Sequence, residues 1–176
     1  MTPRRVPVPI LVMLAVVLPI GPIGLALSHE RTPPAPTGPP LAQIARNAGC
    51  RLTEFQDGMK TNPPVTGTFV ERASAADGSY AGRRPPGLAD TIHAIFHGRV
   101  LLQYRPGIAD RDLRALERLT REDTDSVLLF ENQTRMSAPV AATAYLSLMT
   151  CPRVDAGVLR ALDAFRERRR GFGQSF

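Results

Sequence analysis

HAIFHGRVLLQYRPG, residues 93–107, decides the fold. Its first half carries apolar residues at helical spacing and runs into Gly98, the residue type that most readily adopts the left-handed turn ending a helix. Its second half, Val100 to Tyr104, is a short aliphatic run bounded by Pro106 and Gly107, which reads as a central strand. A helix, a stop, a buried strand and a turn follow one another directly, so helices and strands share one compact unit.

The same pattern extends in both directions. Downstream, Asp110 is expected to cap a helix reaching Glu122, with Leu113, Leu116 and Leu119 on one face. Ser126 to Phe130 reads as a second buried strand. The polar turn Asn132 to Ser137 follows, with Asn132 and Thr134 bonding to local backbone. Val140 to Leu148 reads as a third strand, with a helix as the alternative. Asp155 caps a last helix whose core face is Val158, Leu159, Leu162 and Phe165. Upstream, Leu88 to His97 forms the helix of the opening motif. Leu41 to Ala48 is a further helix stopped by Gly49, and Cys50 to Phe55 is a short strand. Between them Gln56 to Pro86 is irregular and rich in turn formers, with Asn62 and Thr66 ordering its Pro-Pro turn. The expectation is an α+β domain over residues 41–170, a single small mixed sheet with flanking helices, followed by a tail at 171–176.

The first forty residues are of another kind. Arg4 and Arg5 precede an apolar run, 6–27, that no charge interrupts. Such a run is long enough to cross the hydrocarbon core as one helix. The arginines at residues 1–5 keep that end cytoplasmic, so the remainder lies outside a plasma membrane. Pro19 and Pro22 weaken the outer half of the span. Residues 28–40, which include TPPAPTGPP, read as a Pro-rich stalk. The alternative is a cleaved signal peptide, with cleavage near Ser28 and a secreted product.

Cys50 and Cys151 flank most of the domain, and no CxxC occurs. Outside the cell the pair can oxidise, and a bridge of that span would stabilise by about 4–5 kcal/mol on the chain-entropy account. The other reading is two buried thiols acting as small hydrophobes. The formal net charge is +6, carried by arginine apart from Lys60. Arg166, Arg168, Arg169 and Arg170 form the one dense cluster. Cations suit a helix C-terminus, so these read as a solvated helix end. No aromatic residues are interleaved with them, and no nucleic-acid partner is expected.

GCRLTEF, TNPPVTG, HAIFHGRVLLQYRPG, LLFENQTRMSAPVAATAY and CPRVD, in that order, resemble a bacterial and largely actinobacterial family known as domain of unknown function 3105. The resemblance implies a domain held by one N-terminal helix and implies no particular activity. Family members usually carry His where this chain has Phe69, Glu where it has Phe96 and Trp where it has Tyr145.

One candidate site remains. His93 and His97 are four apart, so they share a helix face. Two imidazoles at that spacing can hold zinc or copper if further ligands arrive, and Met136 or Met149 would be soft ligands for copper. A zinc hydrolase of the HExxH type needs Glu beside the second His, where Phe96 stands. Alternatively the two histidines cap the helix and pack, with His93 bonding to the long loop. No enzymatic activity and no resident cofactor are expected. The leading expectation is a membrane-anchored, extracytoplasmic interaction or accessory module with a membrane or extracytoplasmic protein partner. The alternative is an extracytoplasmic copper- or zinc-binding protein.

Overall fold

Mostly apolar runs build the middle of one sheet. Val100–Tyr104, Val127–Glu131 and Val140–Ala144 are buried on both faces along nearly their whole length. That is why they read as continuous rather than alternating hydrophobic stretches. The computed structural model describes residues 38–174. The expectations for 1–5, for the 6–27 span and for nearly all of the stalk lie outside the described residues. Among the described residues no helix is long and apolar enough to cross a membrane.

In chain order the elements are α1 (Leu41–Asn47), β1 (Arg51–Glu54), β2 (Gly78–Ser79), α2 (Leu88–Phe96), β3 (Val100–Tyr104), α3 (Asp110–Glu122), β4 (Val127–Glu131), β5 (Val140–Ala144), β6 (Ser147–Cys151) and α4 (Ala156–Arg169). The six strands form one mixed sheet in the order β1-β6-β5-β3-β4-β2. β3, β4 and β2 run parallel, whereas β5 pairs antiparallel with β3 and β6. The parallel β3–β4 pair needs a crossover, and α3 supplies it. The α+β class and the single mixed sheet are as the sequence led us to expect.

Four local expectations are corrected. Val140 to Leu148 is a hairpin of two strands, β5 and β6, rather than one strand. The chain reverses at Tyr145–Leu146, with Ala144 opposite Ser147. Leu146 takes a φ of 55°, a conformation seldom adopted by a branched side chain. Two bonds from outside the hairpin hold it there, Leu146 N–H to Val65 O at 3.0 Å and Phe55 N–H to Leu146 O at 2.9 Å. Second, the helix after Gly107 is not capped by the Asp110 side chain. Ala109 is the N-cap, and Asp110 and Asp112 act as first-turn carboxylates. Third, Gly78–Ser79 within the irregular stretch joins β4 as a short edge strand. Fourth, the Pro-Pro turn, which contains a cis Asn62–Pro63 bond, is ordered by Thr61 rather than Thr66. The Thr61 hydroxyl donates to Pro63 O at 2.8 Å and accepts from Val65 N–H, while Thr66 reaches Asp57.

Each sheet face has its own cover. α1, α3 and α4 bury Val100, Leu102, Leu129, Ala142 and Met149 against Leu116, Leu162 and Phe165. On this side Cys50 and Cys151 form a disulfide across a sequence separation of 101. On the opposite face α2 sets Ala94 and Ile95 over Leu101, Leu128 and Phe130. The long loop sets Val65 beside Met136, Ala141 and Leu148. Between these two apolar patches runs a strip of buried amide and hydroxyl groups. Gln103 Nε2 donates to Thr143 Oγ1 at 3.1 Å, and Asn132 Nδ2 donates to Gln103 Oε1 at 2.8 Å. Asn132 Oδ1 accepts from the backbone N–H of Thr134 and of Met136. Asn62 then donates to Thr134 O at 2.8 Å, tying the loop to the β4–β5 turn.

The C-terminal arginines are built in more than the solvated-end reading allowed. Arg166 is only 6% exposed. Its Nη1 donates to Leu119 O at 3.0 Å and to Asp123 O, and its Nη2 pairs with Asp163. The end of α3 leaves carbonyls without helical partners, and this guanidinium takes them up. Arg169 pairs with Glu54 and Arg170 with Asp123.

These pairs give the fold an acid limit. The Asp125 backbone N–H and then the Arg170 guanidinium hold Asp123 below the usual carboxylate range. The Val158 N–H and then Arg153 do the same for Asp155 at the start of α4. A carboxyl whose pKa falls on folding contributes stability above its unfolded pKa and loses it as pH drops through the folded value. The urea midpoint should therefore fall between about pH 6 and about pH 3. An Asp123→Asn, Asp155→Asn double variant should start lower and change less over that window. An unchanged pH slope in the double variant would discard these two residues as the source.

Candidate imidazole and aromatic cluster at the end of α2

α2 is fixed at both ends before its histidines do anything. At its start the Asp90 carboxylate accepts the N–H groups of Gly87 and Ser74, each at 3.0 Å. This covers one donor that a helix start leaves open and pins the loop beside it. At its end His97 is the C-cap and Gly98 has a φ of 73°, as the glycine stop implied.

The chain then returns from α4 to cover this end. Gly171 N–H donates to Gly98 O at 2.8 Å and Gln174 N–H donates to Phe96 O at 2.9 Å. A Cβ at Gly98 would lie 2.8 Å from the Gly171 carbonyl carbon, and one at Gly173 would overlap Phe96 O. Residues 171–174 are thus docked against the end of α2. Gly98→Ala should cost about 1–2 kcal/mol for the left-handed backbone alone, and the overlap should also lift the tail. Native-state hydrogen exchange at Gly171 and Gln174 checks this: protection retained at both amides would refute the clamp.

His93 and His97 are brought together, with ring centroids 4.5 Å apart and a tilt of 45°. Phe69 from the long loop stacks on His93 at 4.9 Å and 18°, and lies edge-on to His97 at 6.0 Å. It also touches Phe96 at 5.6 Å. Phe96 in turn meets Tyr145 edge to face at 5.4 Å, and the Tyr145 hydroxyl accepts from Gln174 Nε2. The cluster runs continuously from the loop, across α2, to the β5–β6 turn and the docked tail. His93 is half-buried and His97 is exposed.

His93 Nδ1 lies 3.0 Å from Val70 O. A carbonyl oxygen only accepts, so Nδ1 carries the hydrogen, and in the neutral ring Nε2 keeps its lone pair. The bond to the long loop is the one the sequence suggested for His93. Met136 and Met149 are not brought to the histidines. Met136 is buried beside Val65, Ala141 and Leu148, and Met149 is buried on the other sheet face. Among the described residues, no group of three or more His, Cys, Asp or Glu side chains could hold a metal ion. Tyr104 lies away from the cluster. Burial, then Glu131 and Glu117, push its phenol up, so it stays protonated near neutral pH.

Sequence reading missed two participants. Phe69 registered only as a departure from the family pattern, and an isolated Phe in a loop carries no periodic signal. The tail had a usable signal in Gly171 and Gly173, two glycines spaced by one residue directly after a helix.

The chain was compared with known families and proteins. The model of a family described as protein of unknown function, DUF3105, matches residues 58–171, more than half of the chain. The chain belongs to that family. None of the curated proteins and none of the solved structures matches it. The DUF3105 match begins at Gly58, so it takes in β2 to β6, α2 to α4 and Cys151, and leaves α1, β1 and Cys50 outside. His93, His97, Phe69, Phe96 and Tyr145 all fall within it.

Proposed function

We propose that this DUF3105 chain is a membrane-tethered, extracytoplasmic binding module that carries out no reaction of its own, and that Phe69, His93 and His97 form its contact surface. The supporting observation is the stacked Phe69–His93–His97 group, with His97 exposed and Val70 beside it 43% exposed. Aromatic side chains held rigidly at a surface give large contact area at low entropic cost. The Asp90 cap and the docked tail supply that rigidity. The outside location is supported by the Cys50–Cys151 disulfide, a bond that persists in oxidising compartments.

The test is site-specific photocrosslinking in intact cells. A benzophenone side chain at Val70 should give a discrete protein adduct that disappears in the His93→Ala, His97→Ala background. The same probe at exposed Met59 should not give it. Identical adducts from both positions, or none from Val70, would remove the contact surface from this site. Steady turnover of a substrate by the purified chain would remove the non-enzymatic part.

A second reading is favoured by one contact. An imidazole whose Nδ1–H is held by a backbone carbonyl is oriented as metal-binding imidazoles are, with Nε2 available. A zinc or copper ion would rest on His93 and His97, and its remaining ligands would come from the partner or the solvent. Calorimetric titration with each metal should show affinity lost in the double alanine variant. Equal affinity in both proteins ends that reading.

A further inference from the structure

Phe172 is held by its backbone and left bare by its side chain. Gly171 and Gln174 bond to Gly98 and Phe96, and Phe172 N–H bonds to Arg169 O at 3.2 Å. Phe172 is nevertheless 63% exposed, the most exposed large hydrophobic among the described residues. A lone exposed apolar residue is ordinarily unremarkable, but here the neighbouring backbone is pinned on both sides while most of the side chain stays in solvent.

The same end of the domain is where the chain arrives. A side chain at Gly38 would come within 3.9 Å of Arg168 Nη2, and Arg168 is half-exposed near the end of α4. α2, α3 and α4 all finish at this end. Gly98 meets Gly171, Arg166 takes Leu119 O, and Arg170 meets Asp123. An exposed aromatic ring flanked by arginine, next to the point where a short stalk enters, matches an interfacial membrane contact. Aromatic rings settle at the headgroup level, and arginines are drawn to anionic lipid. A short tether also keeps this end at high effective concentration near the bilayer.

We infer that Phe172 and Arg168 seat the domain on the anionic headgroups of the membrane surface, Phe172 entering the interface and Arg168 facing phosphate. The inference rests on the membrane-tether part of the reading above. It also narrows that reading, because the Phe69–His93–His97 surface, at the same end of α2, then faces partners that lie close to the bilayer.

The chain contains no Trp, so Phe172→Trp places a single reporter in the full-length protein. It is reconstituted in vesicles of brominated phosphatidylcholine, with and without phosphatidylglycerol. Emission at position 172 should drop roughly twofold when the anionic lipid is included, as expected for a ring at the acyl boundary. Adding Arg168→Glu should abolish that increment. Ser137→Trp, on the β4–β5 turn that Arg105 contacts at the other end of β3, should stay bright. A third reporter, Leu14→Trp, tests the tether. Quenching at 14 with none at 172 leaves the tether standing and overturns the seat. Quenching at 172 with none at 14 does the reverse. Silence at both ends both ideas. Equal quenching at 137 and 172 means adsorption without orientation and overturns the seat. Emission at 172 that shifts with protein concentration and not with lipid assigns the patch to a second copy of the chain, which also overturns it.

Discussion

Reducing the Cys50–Cys151 bridge, or replacing both cysteines with Ala, should lower the unfolding free energy by about 4–5 kcal/mol. The figure follows from the loop it closes, which spans a sequence separation of 101. On the chain-entropy account, closing so long a loop removes much of the freedom of the unfolded chain and almost none from the folded one. The native side adds a local reason. Among the described residues β1 is an edge strand of four residues paired only with β6, and α1 rests on α4. Without the bridge that corner has little holding it. Urea unfolding under oxidising and reducing conditions measures the difference directly. A loss below about 1 kcal/mol would show that the unfolded chain is already restricted, or that the bridge is strained.

Asn132→Leu should cost about 3 kcal/mol or more. Asn132 is 3% exposed and serves four groups. Its Oδ1 accepts from the backbone N–H of Thr134 and of Met136, and its Nδ2 donates to Gln103 Oε1 and to Thr134 Oγ1. Leucine is close in volume but satisfies none of them. Each buried donor or acceptor left without a partner costs about 1–3 kcal/mol. Thr143→Val is the graded comparison. It removes one acceptor, that of Gln103 Nε2, and should cost about 1–2 kcal/mol. If the two variants lost equal stability, the amide strip would not be acting as a network centred on Asn132. The loss should also loosen the Asn62 loop, visible as faster proteolysis between Gln56 and Pro86.

The parts of this molecule legible in the sequence are those whose cause is local. Gly98 ends α2 because a left-handed residue must follow the helix, and Val100 to Tyr104 is a central strand because four of its five positions are apolar. Asp155 caps α4 through its own carboxylate, which accepts Val158 N–H at 2.9 Å. Most of what escaped depends on distant partners. Leu146 accepts a left-handed turn only because Val65 and Phe55 hold it from outside. Arg166 is buried because α3 ends beside it. Asp110 fails as a cap because the chain leaves the Pro106–Gly107 turn one residue earlier than the spacing suggests. At the candidate site the histidine pair was legible from its i, i+4 spacing, and so was the loop bond of His93. The stacking of Phe69 and the docking of the tail were not, since both come from segments far away in the chain. The methionines were legible only as residue types, and their places in two other apolar clusters follow from which sheet face each strand turns inward.

The disulfide also fixes how the domain bears load. A pull on the chain at Gly38 is delivered through α1 to Cys50, and there it passes covalently to β6, in the body of the sheet. β1 and β6 are antiparallel neighbours, so without that link the same pull would open their ladder one hydrogen bond at a time, the weakest way to strain a sheet. With it, only the residues ahead of Cys50 can be drawn out, and a pull on that end of the chain stops at a covalent bond.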